Sequence, residues 1–335
     1  MIKNNDKVSL EYRRLTLDRE SKKILITNFF KTAQEKDLST PPNCKGFGRI
    51  RHFKRGSGEL WPQNPLPIDP AIKALSLKDN LDELEAQVFQ TASCNWRCWY
   101  CFVPYNLLSA NEKHASWLTA GQLIDYYLEE SERPRVIVIS GGQPELVPEF
   151  VLWMMEELMQ RNLDKEVFLW SDDNLSCDYF WRFLSEREID LIVNYENYCR
   201  VGCFKGFDEK SFSFNTNASP EYFYKQFEIM RRYIEIGLDM YAYATFTFVD
   251  EEDKLYDNMC RFIDMLQEID ENFPLRTVPL EIFPFSTVIP RIKSIHERAI
   301  KNQYKAIKIW TSELEKRFPD RYKCNITEIT INNKT

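Results

Sequence analysis

Cys94-Asn-Trp-Arg-Cys98-Trp-Tyr-Cys101 is the stretch around which the 335-residue chain reads most clearly. Three cysteines at C-x3-C-x2-C follow the apolar run Ala86 to Ala92, which reads as a buried strand. A loop this short brings three thiols into one small volume. Three thiolates can hold a metal centre, yet they leave a four-iron cluster one ligand short. One iron then keeps an open position that can bind and activate a second molecule. Zinc competes for the same reading and would take a fourth ligand from His114 or another cysteine. Three unliganded core cysteines are the third reading, because Cys is often simply buried.

A second motif lies some forty residues on. Ser140-Gly-Gly-Gln-Pro-Glu145 follows the strand-like run Arg135 to Ser140. Successive glycines at a strand end let backbone groups approach a ligand with no Cβ in the way.

Together the two motifs resemble the signature of the radical S-adenosylmethionine (SAM) enzymes, over about residues 86–290. The resemblance implies that Cys94, Cys98 and Cys101 bind a [4Fe-4S] cluster whose open iron takes the amino nitrogen and carboxylate of SAM. It implies reductive cleavage of SAM to a 5′-deoxyadenosyl radical, which abstracts hydrogen from a substrate. Tyr100, the aromatic residue before the last cysteine, is then expected near the adenine. Gly141, Gly142, Gln143 and Pro144 are expected at the SAM amino group. Gln143 departs from the family's Glu: its carbonyl can accept from an ammonium but brings no charge. In Ser171-Asp-Asp-Asn174, Asp172 is expected at the ribose or amino group. Lys205-Gly-Phe-Asp208 resembles the lysine-bearing strand end of the glycyl-radical-enzyme activases, where the lysine lies near the SAM carboxylate. Cys203 stands here where those enzymes have Asp.

The rest of the chain supplies the frame. Residues 1–85 form an N-terminal extension in which Ser9 to Phe30 reads as a helix or two short strands. Pro41, Pro42, Pro62, Pro65, Pro67 and Pro70 then suggest an ordered extended segment. From about Leu84, strand and helix patterns alternate, as in a parallel sheet covered by helices. Helices are expected over Ser116 to Glu130 (N-cap Thr119), Pro148 to Met159, Asp178 to Glu186, Ser219 to Ile236 and Glu252 to Asp270. The last is expected over Ser294 to Phe318. Glu166 to Ser171 is the third strand; either Asp190 to Asn194 or Val201 to Lys205 is the fourth. On the fifth, Met240 to Val249, the residues Tyr241, Tyr243, Thr245 and Thr247 alternate with apolar ones, so one face carries hydroxyls and should point into the cavity. Glu281 on the sixth strand, Val278 to Phe283, is expected to face inward as well. Six such units predict a partial (β/α)6 barrel of the radical SAM type, with the core at 86–290 and a C-terminal helix and tail at 291–335 packing on it. The site belongs at the carboxyl ends of the strands. Cys203, Tyr243, Thr245 and Glu281 are the candidates for lining the cavity.

Composition narrows the partners. Against 44 basic residues stand 51 acidic ones, a net charge of −7, which disfavours a broad nucleic-acid surface. One local exception runs from Lys45 to Arg55, with Lys45, Arg49, Arg51, Lys54 and Arg55 and no acid. It reads as a solvated loop or as a contact for a phosphate-bearing or acidic partner. Nine cysteines, three of them grouped, and opening residues without a signal peptide's apolar core point to a reducing compartment, the cytoplasm. No run approaches a membrane span. Cys199 and Cys203 could ligate a second cluster with Cys44 or Cys177, but they lack a companion pair at ligand spacing. The partners expected are SAM, an electron donor such as ferredoxin or flavodoxin, and an unidentified substrate, proteins included. The rival functions are a glycyl-radical-enzyme activase, a nucleic-acid-modifying enzyme and a non-enzymatic zinc or iron–sulfur protein.

Overall fold

The computed structural model describes residues 5–37, 39–56, 61–78, 81–249 and 252–331. The expectations for residues 1–4 and 332–335 lie outside these. The chain begins with helix α1 (Asn5–Thr16) and the short strands β1 (Leu17–Asp18) and β2 (Lys23–Thr27), then β3 (Gly48–Lys54) and α2 (Ile68–Leu75). It continues through β4 (Glu83–Phe89), β5 (Ala115–Thr119), α3 (Ala120–Glu129), β6 (Val136–Ile139), α4 (Glu149–Gln160) and β7 (Phe168–Asp173). There follow α5 (Tyr179–Phe183), α6 (Glu186–Val193), β8 (Tyr198–Phe204), α7 (Glu209–Thr216), α8 (Tyr222–Glu235) and β9 (Met240–Thr245). The last elements are α9 (Leu255–Ile269), β10 (Thr277–Leu280) and α10 (Ser294–Arg317).

Seven strands form one curled sheet in the order β10-β9-β8-β7-β6-β4-β3. Six are parallel, and β3 joins the open edge antiparallel to β4. This is the expected partial (β/α)6 barrel, with one strand more than expected, drawn from the N-terminal extension. Strand parity separates two apolar layers. Phe89, Ile139, Leu169, Phe204 and Met240 pack outward under the helices. Ala86, Val88, Val138, Trp170, Val201 and Tyr241 fill the inside.

The N-terminal segment contains both alternatives read from it: a helix and two strands. β2 pairs with β1 and with β5 in a small antiparallel sheet. Residues 115–119 are therefore strand, where the sequence suggested the start of a helix. Thr119 still caps α3, accepting from the Gln122 backbone while Gln122 Oε1 accepts from the Thr119 amide at 3.0 Å. A residue in extended N-cap geometry cannot also be helical interior, so the helix begins after it.

The proline-rich stretch is not purely extended. It folds into α2, with Pro70 in the first turn, where a missing N–H breaks no helical bond. Leu66, Ile68, Ala71 and Leu75 then plug the barrel interior. Asp190 to Asn194 is helical for a similar local reason: a Ser185–Glu188 capping box starts α6 and carries the chain through Val193. The fourth core strand is consequently β8. Gly237 ends α8 with φ 86°, a conformation glycine adopts without Cβ strain. No helix among the described residues is long and apolar enough to cross a membrane.

Candidate functional site

The cysteine loop leaves β4 and lies across the carboxyl ends of the strands, fastened from three sides. From below, Asn95 donates to Ser9 Oγ at 2.9 Å and Ser176 Oγ at 2.7 Å, and Trp96 Nε1 donates to Asn5 Oδ1 at 2.9 Å. Helix α1 is thus a direct support of this loop. α1 is itself anchored by the buried ion pair of Arg13 with Glu149. From the side, Asn215 at the end of α7 is fully buried and makes four bonds. It accepts from Trp99 Nε1 at 3.0 Å and Thr247 Oγ1 at 2.8 Å, and donates to the carbonyls of Lys205 at 2.9 Å and Thr247 at 3.1 Å. From above, Thr287 donates to the Phe102 carbonyl at 2.7 Å, Arg291 to that of Cys101, and His296 stacks on Trp99 at 4.6 Å. Asn95 and Asn215 escaped sequence reading because an isolated asparagine carries no periodic or motif signal; only its bonding partners reveal the role.

The three thiols are electrostatic neighbours. Burial pushes the Cys98 thiol up to about 12, opposed by Lys205 and reinforced by Cys101 and Cys94. Burial also raises Cys94 and Cys101. Asn174 approaches Cys94 Sγ at 3.8 Å. No three His, Cys, Asp or Glu side chains among the described residues already stand at metal-ligating spacing. The fit to a cluster therefore rests on the donor set: three thiols on one short loop, within electrostatic range of one another and of an ammonium, the chemistry suited to a centre of net negative charge.

Strand parity decides which candidates face that volume. Trp170 points inward, so Asp172 does too; its carboxylate accepts from Ser140 Oγ and from Trp170 Nε1 at 3.2 Å. Val201 points inward, so Cys203 and Lys205 follow it. Burial disfavours the Lys205 ammonium, but Cys203, Tyr100, Cys98 and Cys101 favour it, and the balance lies above its ordinary value. Burial lifts Cys203 to about 11, against the pull of Lys205. On β9 the hydroxyl face is inward, as parity predicted. Tyr243 donates to the Leu66 carbonyl at 3.1 Å, and Thr245 Oγ1 meets the Tyr100 hydroxyl at 3.2 Å.

Two expectations need correction. Glu281 does not share the inward face. Val278 and Leu280 take it, and Glu281 accepts a 2.5 Å bond from Tyr304 on α10 instead. Gln143 is also directed away from the mouth. Only 1% exposed, it donates from Nε2 to Asp173 Oδ1 at 2.8 Å and accepts from the Asn174 amide at 3.0 Å. Asp173 has the outward parity and belongs to a buried group with Glu145, Arg200 and Tyr233 beneath α8. Glu145 is committed to Arg200 at 2.8 Å.

The glycines, too, have a reason inside the fold. Gly141 and Gly142 have φ of 87° and 69°. A Cβ on Gly141 would lie 2.4 Å from Gln90 Oε1, and one on Gly142 2.4 Å from the Thr91 carbonyl. The turn is pressed against the segment that leads into the cysteines, and only glycine permits that approach. Pro144 is buried, opening a short 3-10 turn. Asp208, the last residue of the activase-like stretch, caps α7 by accepting from the Ser211 amide at 2.7 Å. The remaining cysteines are dispersed: Cys199 donates to Asp239 at 3.1 Å, Cys177 packs with Leu146 and Tyr179, and Cys44 lies in the outer layer.

A family model described as the Radical SAM superfamily matches residues 88–263. Among solved structures, SuiB of Streptococcus suis bound to the precursor peptide SuiA aligns with TM-score 0.39 and 13% identity, over 55% of this chain and 36% of that one. A histidine-tagged anSMEcpe with bound AdoMet aligns with TM-score 0.45 and 12% identity, over 72% and 60%. The chain thus spans between about a third and three fifths of the length of these neighbours. No curated protein matches the sequence.

Proposed function

The chain belongs to the radical SAM superfamily, whose enzymes work with a [4Fe-4S] cluster and SAM, and on that premise we propose that it abstracts a hydrogen atom from an unidentified substrate held in the barrel mouth. What supports this reading is that the three thiols and the Lys205 ammonium act on one another electrostatically, and that strand parity turns Lys205 and Asp172 to the same face. Cys94, Cys98 and Cys101 would hold the cluster and offer no fourth thiolate. Held there, the cluster would supply the electron for reductive cleavage of SAM.

The protein's own residues bind and orient. Lys205 makes no ion pair among the described residues and would meet the SAM carboxylate. Asp172 retains acceptor capacity for the SAM ammonium. Gly141, Gly142 and Pro144 shape the turn beside it, and Gln143 supports that turn from behind by holding the end of β7. Tyr100, fixed by Thr245 and packed edge-on to Trp99, would border the adenine. Trp99, Ile282 and Ala299 close the α10 side with apolar surface that keeps water from the reacting centre. Cys203 stays protonated at neutral pH and presents an S–H to the cavity, with Tyr243 opposite it on β9. In this reading residues 86–290 are the catalytic core, 1–85 brace it, and 291–335 cover it. A ferredoxin or flavodoxin would deliver the electron.

The test is anaerobic reconstitution. Parent protein should bind about four iron and four sulfide per chain, and should form 5′-deoxyadenosine from SAM with dithionite. The Cys94→Ala/Cys98→Ala/Cys101→Ala variant should do neither. A full iron complement in that variant, or one zinc in the parent with no 5′-deoxyadenosine, overturns the reading.

A further inference from the structure

The basic run from Lys45 to Arg55 is not a uniform solvated loop. Most of it becomes β3, and the register of β3 on β4 sorts its charges. Arg49 stands opposite Val88, Arg51 opposite Ala86 and Phe53 opposite Leu84. Val88, Ala86, Leu84 and Phe53 all belong to the apolar layer inside the barrel. Period two therefore turns both arginines inward. The other cations of the run have acidic partners: Lys45 with Glu129 at 3.1 Å, Lys54 with Glu83 at 3.5 Å, and Arg55 with Asp69.

Arg49 and Arg51 have no ion pair among the described residues. Arg49 is 6% exposed, and its Nε and Nη2 have no hydrogen-bond partner there. Its guanidinium lies 5.2 Å from the Phe102 ring, just past the last cysteine, and 6.0 Å from Phe29. Burial, then the charge of Arg51, lowers its pKa to about 9, and Asp172 acts in the opposite sense. Half-buried Arg51 lies over Phe53 at 4.2 Å and acts electrostatically on Cys203 and Tyr243. Two guanidinium groups thus address the same interior as the candidate site, and neither is ion-paired among the described residues, although Asp172 acts on Arg49. A buried cation in that state is costly unless something anionic arrives. The Arg49 guanidinium, planar by its own delocalisation and within 5.2 Å of the Phe102 ring and 6.0 Å of the Phe29 ring, is the form that receives a carboxylate or phosphate through paired N–H groups.

We propose that Arg49 and Arg51 form a subsite for an anionic group, a carboxylate or phosphate, of the substrate. It rests on the function proposed above. Both residues precede the stretch matched by the family model, which begins at residue 88. The subsite is a device of this chain's added seventh strand, not of the shared core.

The test uses reconstituted holoprotein with inorganic phosphate and succinate as probes and potassium chloride at equal ionic strength as control. Each anion should raise the melting temperature of the parent beyond the chloride control. In Arg49→Met/Arg51→Gln that rise should vanish and the affinity for either probe fall by about tenfold or more. Without anions, the variant should melt no lower than the parent, because an uncompensated buried charge has gone. SAM affinity and 5′-deoxyadenosine yield without substrate should be unchanged. Retention of the parent's anion response overturns the proposal. So does a parallel loss of SAM affinity, which would assign the guanidiniums to the SAM carboxylate. Should the double variant not fold, Arg51→Gln alone carries the same readouts, since that side chain is only half-buried. A parent that makes no 5′-deoxyadenosine yet responds to anions sinks the radical reading and leaves the anion site standing.

Discussion

Gln143 Nε2 and Asp173 Oδ1 are joined by a 2.8 Å hydrogen bond on the helix-facing side of the sheet. The same Asp173 oxygen accepts from the Leu175 amide at 2.7 Å, and its other oxygen from Tyr233 at 3.0 Å. An amide suits this position because Gln can donate to the acid and accept from the Asn174 amide at once. The family's Glu would meet the carboxylate of Asp173 here.

Gln143→Glu should therefore destabilise the protein at neutral pH by about 1–3 kcal/mol, the scale of an unmet buried polar group. It should not tighten SAM binding. The introduced carboxyl, raised by its acidic neighbour, binds a proton more strongly when folded than when unfolded. The penalty should accordingly grow as pH rises above the ordinary Glu value and shrink as pH falls through it. Urea unfolding of parent and variant at pH 5 and pH 8 measures this. A variant equally stable at both, with tighter SAM binding, would contradict it.

Among the described residues, Arg200 is the cation that faces two buried carboxyls, Glu145 and Asp173. Burial raises Glu145 to about 7 despite the pull of Arg200, and raises Asp173 in the same direction. Both folded values lie above the unfolded ones, so the folded state binds more protons and stability from these groups declines as pH climbs toward and past 7. Replacing Arg200 with Met removes the compensating charge. The loss should be about 3–5 kcal/mol at pH 8, as for a broken buried pair, and smaller at pH 5, where both acids can be neutral. Denaturation curves at the two pH values check it; a loss independent of pH would show that packing against Phe180 and Tyr233, not charge, is the role of Arg200.

Asn215 links β8, β9 and Trp99 through four bonds inside the cysteine loop's support. Asn215→Ala strands several buried groups at once, each worth about 1–3 kcal/mol when unmet. The expected result is a protein of lower unfolding midpoint that loses iron faster to a chelator than the parent. Unaltered iron retention at reduced stability would mean that the loop does not depend on this support.

Much was legible along the chain because it is local. The C-x3-C-x2-C spacing, the Gly141-Gly142 turn and the two-residue alternation of β9 each depend on neighbours within a few positions. Those periodicities set the parallel sheet and its inward hydroxyl face before any long-range contact is known. The failures were those of parity and partnership. Glu281 sits beyond β10, where one residue of register turns a side chain from the cavity to Tyr304. Gln143 occupies a motif position yet spends both its polar groups on the last residue of β7 and the residue after it, some thirty positions along the chain. The run from Lys45 to Arg55 showed only that cations were concentrated; the tertiary structure decided that two point inward without an ion pair and three find acidic partners. By itself, then, the sequence determined the cysteine loop and the strand–helix rhythm, since spacing and periodicity are short-range properties. The tertiary structure alone decided which face each polar side chain takes and which charges remain unbalanced, because burial and counter-charge come from segments far apart in the chain.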